Sequence, residues 1–88
     1  ASAQSDGVIV TLLPDGAMRV ATASIGAGDF EGLKEVLRRA FQSTASRLVV
    51  LEGDRQAFLG NAIQVMDAAK QAGAEKFAIA TVPEGAQR

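Results

Sequence analysis

The chain has 88 residues, 48% of them hydrophobic, and its nine Lys and Arg against ten Asp and Glu leave a formal net charge of −1. A domain of this size buries roughly 60–65% of its unfolded surface, and near-neutrality removes the long-range positive field that nucleic acid binding needs. There is no Cys, His, Trp or Tyr and there are only four Phe, which excludes thiol and imidazole chemistry, most transition-metal sites and a base-stacking platform.

Residues 8–13, VIVTLL, form a β-rich run, and residues 18–22, MRVAT, alternate apolar and polar side chains as a half-buried strand does. Between them Pro14-Asp15-Gly16 predicts a short antiparallel hairpin with a type I turn: Pro presets φ at the first central position, Asp suits the second, and Gly accepts positive φ after it. The stretch SIGAG at residues 24–28 is read as a strand breaker, with Asp29 capping a helix to about Ser43. Phe30, Leu33, Leu37, Ala40 and Phe41 share one face of that helix, and Glu31, Lys34, Glu35, Arg38 and Arg39 take the solvated rest.

Residues 48–51, LVVL, are continuously apolar, which predicts the innermost strand of a sheet, ending at Glu52-Gly53-Asp54. A second helix is predicted over 57–72, with Leu59, Ala62, Ile63, Met66 and Ala69 as its apolar stripe and Gly73 as its left-handed stop. The last strand is read at Phe77-Ala-Ile-Ala80, as the second parallel strand of a βαβ crossover. The predicted fold is therefore a two-layer α+β domain within the α/β class: a mixed sheet, element order ββαβαβ, with both helices on one face. Residues 1–7 read as a linker or expression remnant, 8–82 as the domain and 83–88 as a tail. No apolar run approaches the roughly 18–20 residues of a membrane span, so any anchor is expected outside these residues.

The local candidate for a ligand site is Glu52-Gly53-Asp54-Arg55, at the C-terminal end of a strand leading into a helix, where open α/β sheets place ligands. Helix amides there could hold an anion with help from Arg55. No Gly-rich phosphate loop is present, two carboxylates would repel a phosphate, and Asp54 also serves as a plain helix cap. No catalytic residue, cofactor or metal is expected, and the chain is not read as an enzyme.

The apolar strand RLVVLEG, Asp54, a four-residue gap, then Leu59 and the stretch IQVMDAAKQAGAEKFAIAT at residues 63–81 resemble the C-terminal half of the ExbD/TolR family of biopolymer transport proteins. Asp54 stands at the family's strand-end aspartate and Phe58 at an aromatic position usually filled by Tyr. Val65-Met66-Asp67 and Ala72-Gly73 match directly. The resemblance is specific over residues 47–81; over 8–45 it rests on element order and the Asp-Gly hairpin. It departs at Phe58, which lacks a hydroxyl, and at Glu52-Gly53, where many members have a small residue before the aspartate.

What the resemblance implies is a periplasmic domain of an inner-membrane protein working in a motor driven by proton motive force. Its implied partners are an ExbB/TolQ-like motor subunit, a TonB/TolA-like periplasm-spanning protein and a second copy in a homodimer. The proton-relaying aspartate of such proteins lies in a transmembrane helix before a domain like this one, so Asp15, Asp29, Asp54 and Asp67 are not expected to be that site. Candidate binding residues are Asp54, Arg55, Phe58 and Asp67. An exposed sheet edge, from the first hairpin or the last strand, is expected to dock an extended partner segment. The alternative is a small-ligand or cell-wall-binding module using the Asp54 end of the sheet.

Overall fold

A computed structural model of the chain describes residues 7–82; all but Gly7 of the linker expected over 1–7, and the tail expected over 83–88, lie outside the described residues. In chain order the elements are β1 (Val8–Leu12), β2 (Met18–Val20), β3 (Ala23–Ile25), α1 (Phe30–Gln42), β4 (Leu48–Asp54), α2 (Arg55–Ala72) and β5 (Lys76–Val82). The five strands make one mixed sheet ordered β3-β2-β1-β4-β5. Pairings β1–β2 and β2–β3 are antiparallel, while β1–β4 and β4–β5 are parallel. Strands β4 and β5 with α2 between them are the crossover unit read from the sequence.

One strand was not expected. Residues 18–22 do not run as a single strand: β2 ends at Val20 and the chain reverses through Ala21 and Thr22 into β3, which pairs Val20 with Ala23 and Met18 with Ile25. Two-residue hairpin loops need positive φ, usually supplied by Gly or Asn. Here Ala21 adopts it, at φ 54°, so the turn carries no sequence signal. The added strand moves the sheet's centre to β1, with β4 next to it and not innermost. It also removes the first hairpin from the edge, since β1 and β2 are both paired on two sides. The hairpin turn itself forms as read: Gly16 N–H donates to Leu13 O at 2.9 Å, and Asp15 Oδ1 accepts from Ala17 N at 2.9 Å.

Burial alternates along the strands because the helices cover one face only. Val10, Leu12, Met18, Val20, Ile25, Val49 and Leu51 are buried beneath them and form one core with Leu33, Leu37 and Phe41 of α1. The α1 face is the one expected, with Phe30 and Val36 half-buried at its margin. On α2 the buried residues are Ala57, Val65, Ala68 and Ala69, whereas Leu59 and Ile63 are 87% and 80% exposed. The predicted stripe is therefore rotated: Leu59 and Ile63 face out, Ala62 and Met66 sit at the margin, and only Ala69 is buried. Small side chains seat the helix close to the sheet and to α1, and that close approach leaves the larger apolar residues outside.

Both helices start on aspartate caps. Asp29 Oδ1 accepts from Gly32 N at 3.0 Å and Asp54 Oδ1 from Ala57 N at 2.8 Å, each satisfying an amide that has no partner within the helix. Gly73 ends α2 at φ 121°. Its N–H donates to Lys70 O at 3.1 Å and Ala74 N–H to Ala69 O at 2.9 Å, the bond pair of a Schellman stop. Arg47 closes α1 by donating to Phe41 O at 3.3 Å and Thr44 O at 3.0 Å, its guanidinium 5.2 Å from the Phe41 ring centre.

Candidate functional site

The four residues singled out by the sequence fall at two places on α2. Asp54, Arg55 and Phe58 gather at its N-terminus, where β4 delivers the chain directly into the helix. The Asp54 carboxylate is already engaged as the cap, Phe58 packs against the core margin, and Arg55 is exposed. Asp67 lies 13 residues further along, about 20 Å at 1.5 Å per residue. One small ligand does not bridge that distance, and the two carboxylates do not form an acid–base pair.

Asp67 belongs instead to a groove of about 440 Å³ between the helices, walled by Phe30, Glu31, Lys34, Ile63 and Gln71 among others. A polar chain crosses it. Lys34 Nζ pairs with Glu31 at 2.8 Å and donates to Gln71 Oε1 at 3.0 Å, and Gln71 Nε2 donates to Asp67 Oδ2 at 3.0 Å. The Lys34 side chain is only 14% exposed, so it clasps α1 to α2 and does not stand in the solvated face assigned to it from spacing. Its signal was the charge itself, set between Phe30 and Leu37 at the border of the apolar stripe.

A third feature is the outer edge of β5. This strand is seven residues long and lies at the end of the sheet, so its outward N–H and C=O groups pair with no strand among the described residues. The other edge, β3, has three residues. Register places Ile79 beside Leu51 on the helix-facing side, yet Ile79 is 57% exposed. A long, proline-free apolar edge is a template for a further strand. Among the described residues no group of three or more His, Cys, Asp and Glu is placed to hold a metal, and no helix is long and apolar enough to cross a membrane. Among the described residues the arrangement supplies surfaces for docking and no reactive cluster.

Compared with known protein families, the chain matches the model for the biopolymer transport protein ExbD/TolR over residues 1–84. No curated protein matches it.

Proposed function

The chain belongs to the ExbD/TolR family, and on that premise we propose that it is the periplasmic domain of an inner-membrane motor accessory protein that couples proton motive force to transport or envelope processes. The family is a non-enzymatic one with an accessory role in biopolymer transport, whose members generally work with ExbB/TolQ and TonB/TolA proteins. In this reading the chain acts through contacts alone. Its full-length form docks an ExbB/TolQ-like motor subunit and a TonB/TolA-like periplasm-spanning protein, and pairs with a second copy.

The observation that carries the proposal is the family match across residues 1–84. Within the fold, the unpaired edge of β5 is the surface suited to an extended segment of the periplasm-spanning partner. Strand addition recruits backbone groups, so it requires no special side chain in the chain that receives it. The Asp54 end, with Arg55 and Phe58, is where a small ligand or cell-wall fragment would dock under the alternative reading; Asp67, about 20 Å further along α2, stands apart in the groove between the helices.

Detergent extraction of the full-length protein, with an affinity tag on this domain, tests the proposal. A motor subunit of the ExbB/TolQ type should co-purify from membranes. Recovery in the aqueous fraction without such a subunit would overturn it.

A further inference from the structure

The charges of this nearly neutral chain are sorted by end. Strands β1, β4 and β5 run parallel and both helices run back against them, so the starts of those strands share one end of the domain with the last turns of α1 and α2. Arg38, Arg39, Arg47, Lys70 and Lys76 lie toward that end, against the carboxylates of Glu35, Asp67 and Glu75. The other end holds Asp15, Asp29, Glu31, Glu52 and Asp54, with Arg19, Lys34 and Arg55 among them. Among the described residues one end is therefore basic and the other acidic.

A cation in the last turn of a helix ordinarily answers the partial negative charge of the free carbonyls there, and Arg39 and Lys70 each fill that role. Arg38, Arg47 and Lys76 are in excess of it. Arg38 and Arg47 line one hollow of about 360 Å³ between the ends of the two helices, with Phe41, Gln42, Ala72 and Gly73. The Arg47 guanidinium is held in place by the carbonyl oxygens of Phe41 and Thr44, and its own carbonyl accepts from Lys76 N at 3.2 Å, which sets the two cations side by side. Glu35 reaches Arg38 at 3.5 Å and Arg39 at 3.8 Å, and Asp67 accepts from Gln71 at 3.0 Å. Arg47, Lys70 and Lys76 take part in no salt bridge among the described residues.

We infer that this basic end docks on the headgroups of an anionic phospholipid bilayer. Its cations are spread from the sheet margin at Lys76 across to both helices, which suits a plane of phosphates and not one small anion. A headgroup phosphate enters the hollow between Arg38 and Arg47, and the exposed Lys70 and Lys76 meet neighbouring headgroups. Each Lys or Arg close to such a surface adds to the attraction, which fades within a Debye length. The acidic end is repelled by the same surface, so the charge pattern sets an orientation as well as an affinity. Strand β1 begins at the basic end, and an anchor preceding the domain holds that end toward the bilayer. The inference rests on the proposed placement at an inner membrane and adds which surface of the domain faces it.

Co-sedimentation of the 88-residue chain with vesicles at low salt tests the inference, with circular dichroism to confirm that each variant is folded. Vesicles of phosphatidylglycerol and phosphatidylcholine in equal parts should bind the chain, and vesicles of phosphatidylcholine alone should not. Neutralising the basic end in one triple variant, Arg38→Gln with Lys70→Gln and Lys76→Gln, should weaken binding by at least about tenfold, and so should high salt. Arg19→Gln removes an exposed cation from the opposite end and should leave binding unchanged. Inorganic phosphate at the same phosphorus concentration and ionic strength should not displace the chain; displacement would point to a site for a single anion and overturns the bilayer as occupant. Equal binding to both vesicles, no binding to either, or equal losses in Arg19→Gln and the triple variant also overturn the inference. None of these results bears on co-purification of the motor subunit, so failure here is distinct from failure of the proposed function.

Discussion

Leu37→Asp and Ile63→Asp place the same change on two helices with opposite expected outcomes. Leu37 is 0% exposed and sits in the core between α1 and the sheet. Truncating such a leucine costs about 2–5 kcal/mol, and an unpaired carboxylate in the same site costs several kcal/mol more. A chain of 88 residues has about 4–13 kcal/mol of total stability at 0.05–0.15 kcal/mol per residue, so Leu37→Asp should unfold it. Ile63 is 80% exposed and gives up little buried surface. Its replacement meets Asp67 one turn on, a like-charge penalty of roughly 0.2–0.5 kcal/mol, with a helix-propensity loss of similar size. Ile63→Asp should therefore cost no more than about 1 kcal/mol, or roughly 4–8 °C in Tm. Thermal and urea melts followed by circular dichroism at 222 nm give both values on one scale. If Ile63→Asp unfolds the protein as Leu37→Asp does, α2 is rotated from the orientation described, and Leu59 and Ile63 face the sheet after all.

Three further substitutions probe the backbone. Gly73→Val should cost about 1–2 kcal/mol, because a β-branched residue is strained at φ 121° while its Cβ meets only Phe41 Cδ2 at 3.7 Å; an unchanged melt would mean that the chain leaves α2 by another route. Gly53→Ala should cost about 1–3 kcal/mol, since the new Cβ would stand 2.7 Å from the carbonyl oxygen of Leu12 on the neighbouring strand. A neutral result there would show that β1 and β4 lie further apart at that level. Ala21→Gly should raise stability by about 0.5–1 kcal/mol by relieving positive φ in the β2–β3 turn, and a loss of stability would place that turn in a different conformation.

Much of the fold was legible because several local signals agreed. The Pro14-Asp15-Gly16 turn, the Asp29 and Asp54 caps and the Gly73 stop each demanded one backbone geometry, and each appears where it was read. On α1 the alternation of large apolar and charged residues left one face to choose, and that choice held. On α2 apolar residues occur nearly all the way round, so helical spacing allows more than one apolar stripe, and the stripe through Leu59 and Ile63 is not the buried one. The polar residues were the better guide: Asp67 lies one turn after Ile63, and Lys70 three turns after Leu59, which puts both on the solvent side. Strand β3 was missed because Ala21 and Thr22 carry no turn chemistry. The site was less legible than the fold. The resemblance put Asp54 and Asp67 together as candidates, although about 20 Å of helix separates them, and an unpaired edge is a property of strand order, which no single segment encodes.

Under the proposed function, an extended partner segment adds to the free edge of β5. An amide NMR titration of the 88-residue chain with the periplasmic segment of a TonB/TolA-like protein tests it most directly. Shifts confined to residues 76–82, with slowed hydrogen exchange on the outward amides of β5, are the expected result. Shifts centred on residues 52–58 would contradict the account and favour a ligand site at the start of α2. Saturating partner that leaves residues 76–82 unmoved would contradict it as well.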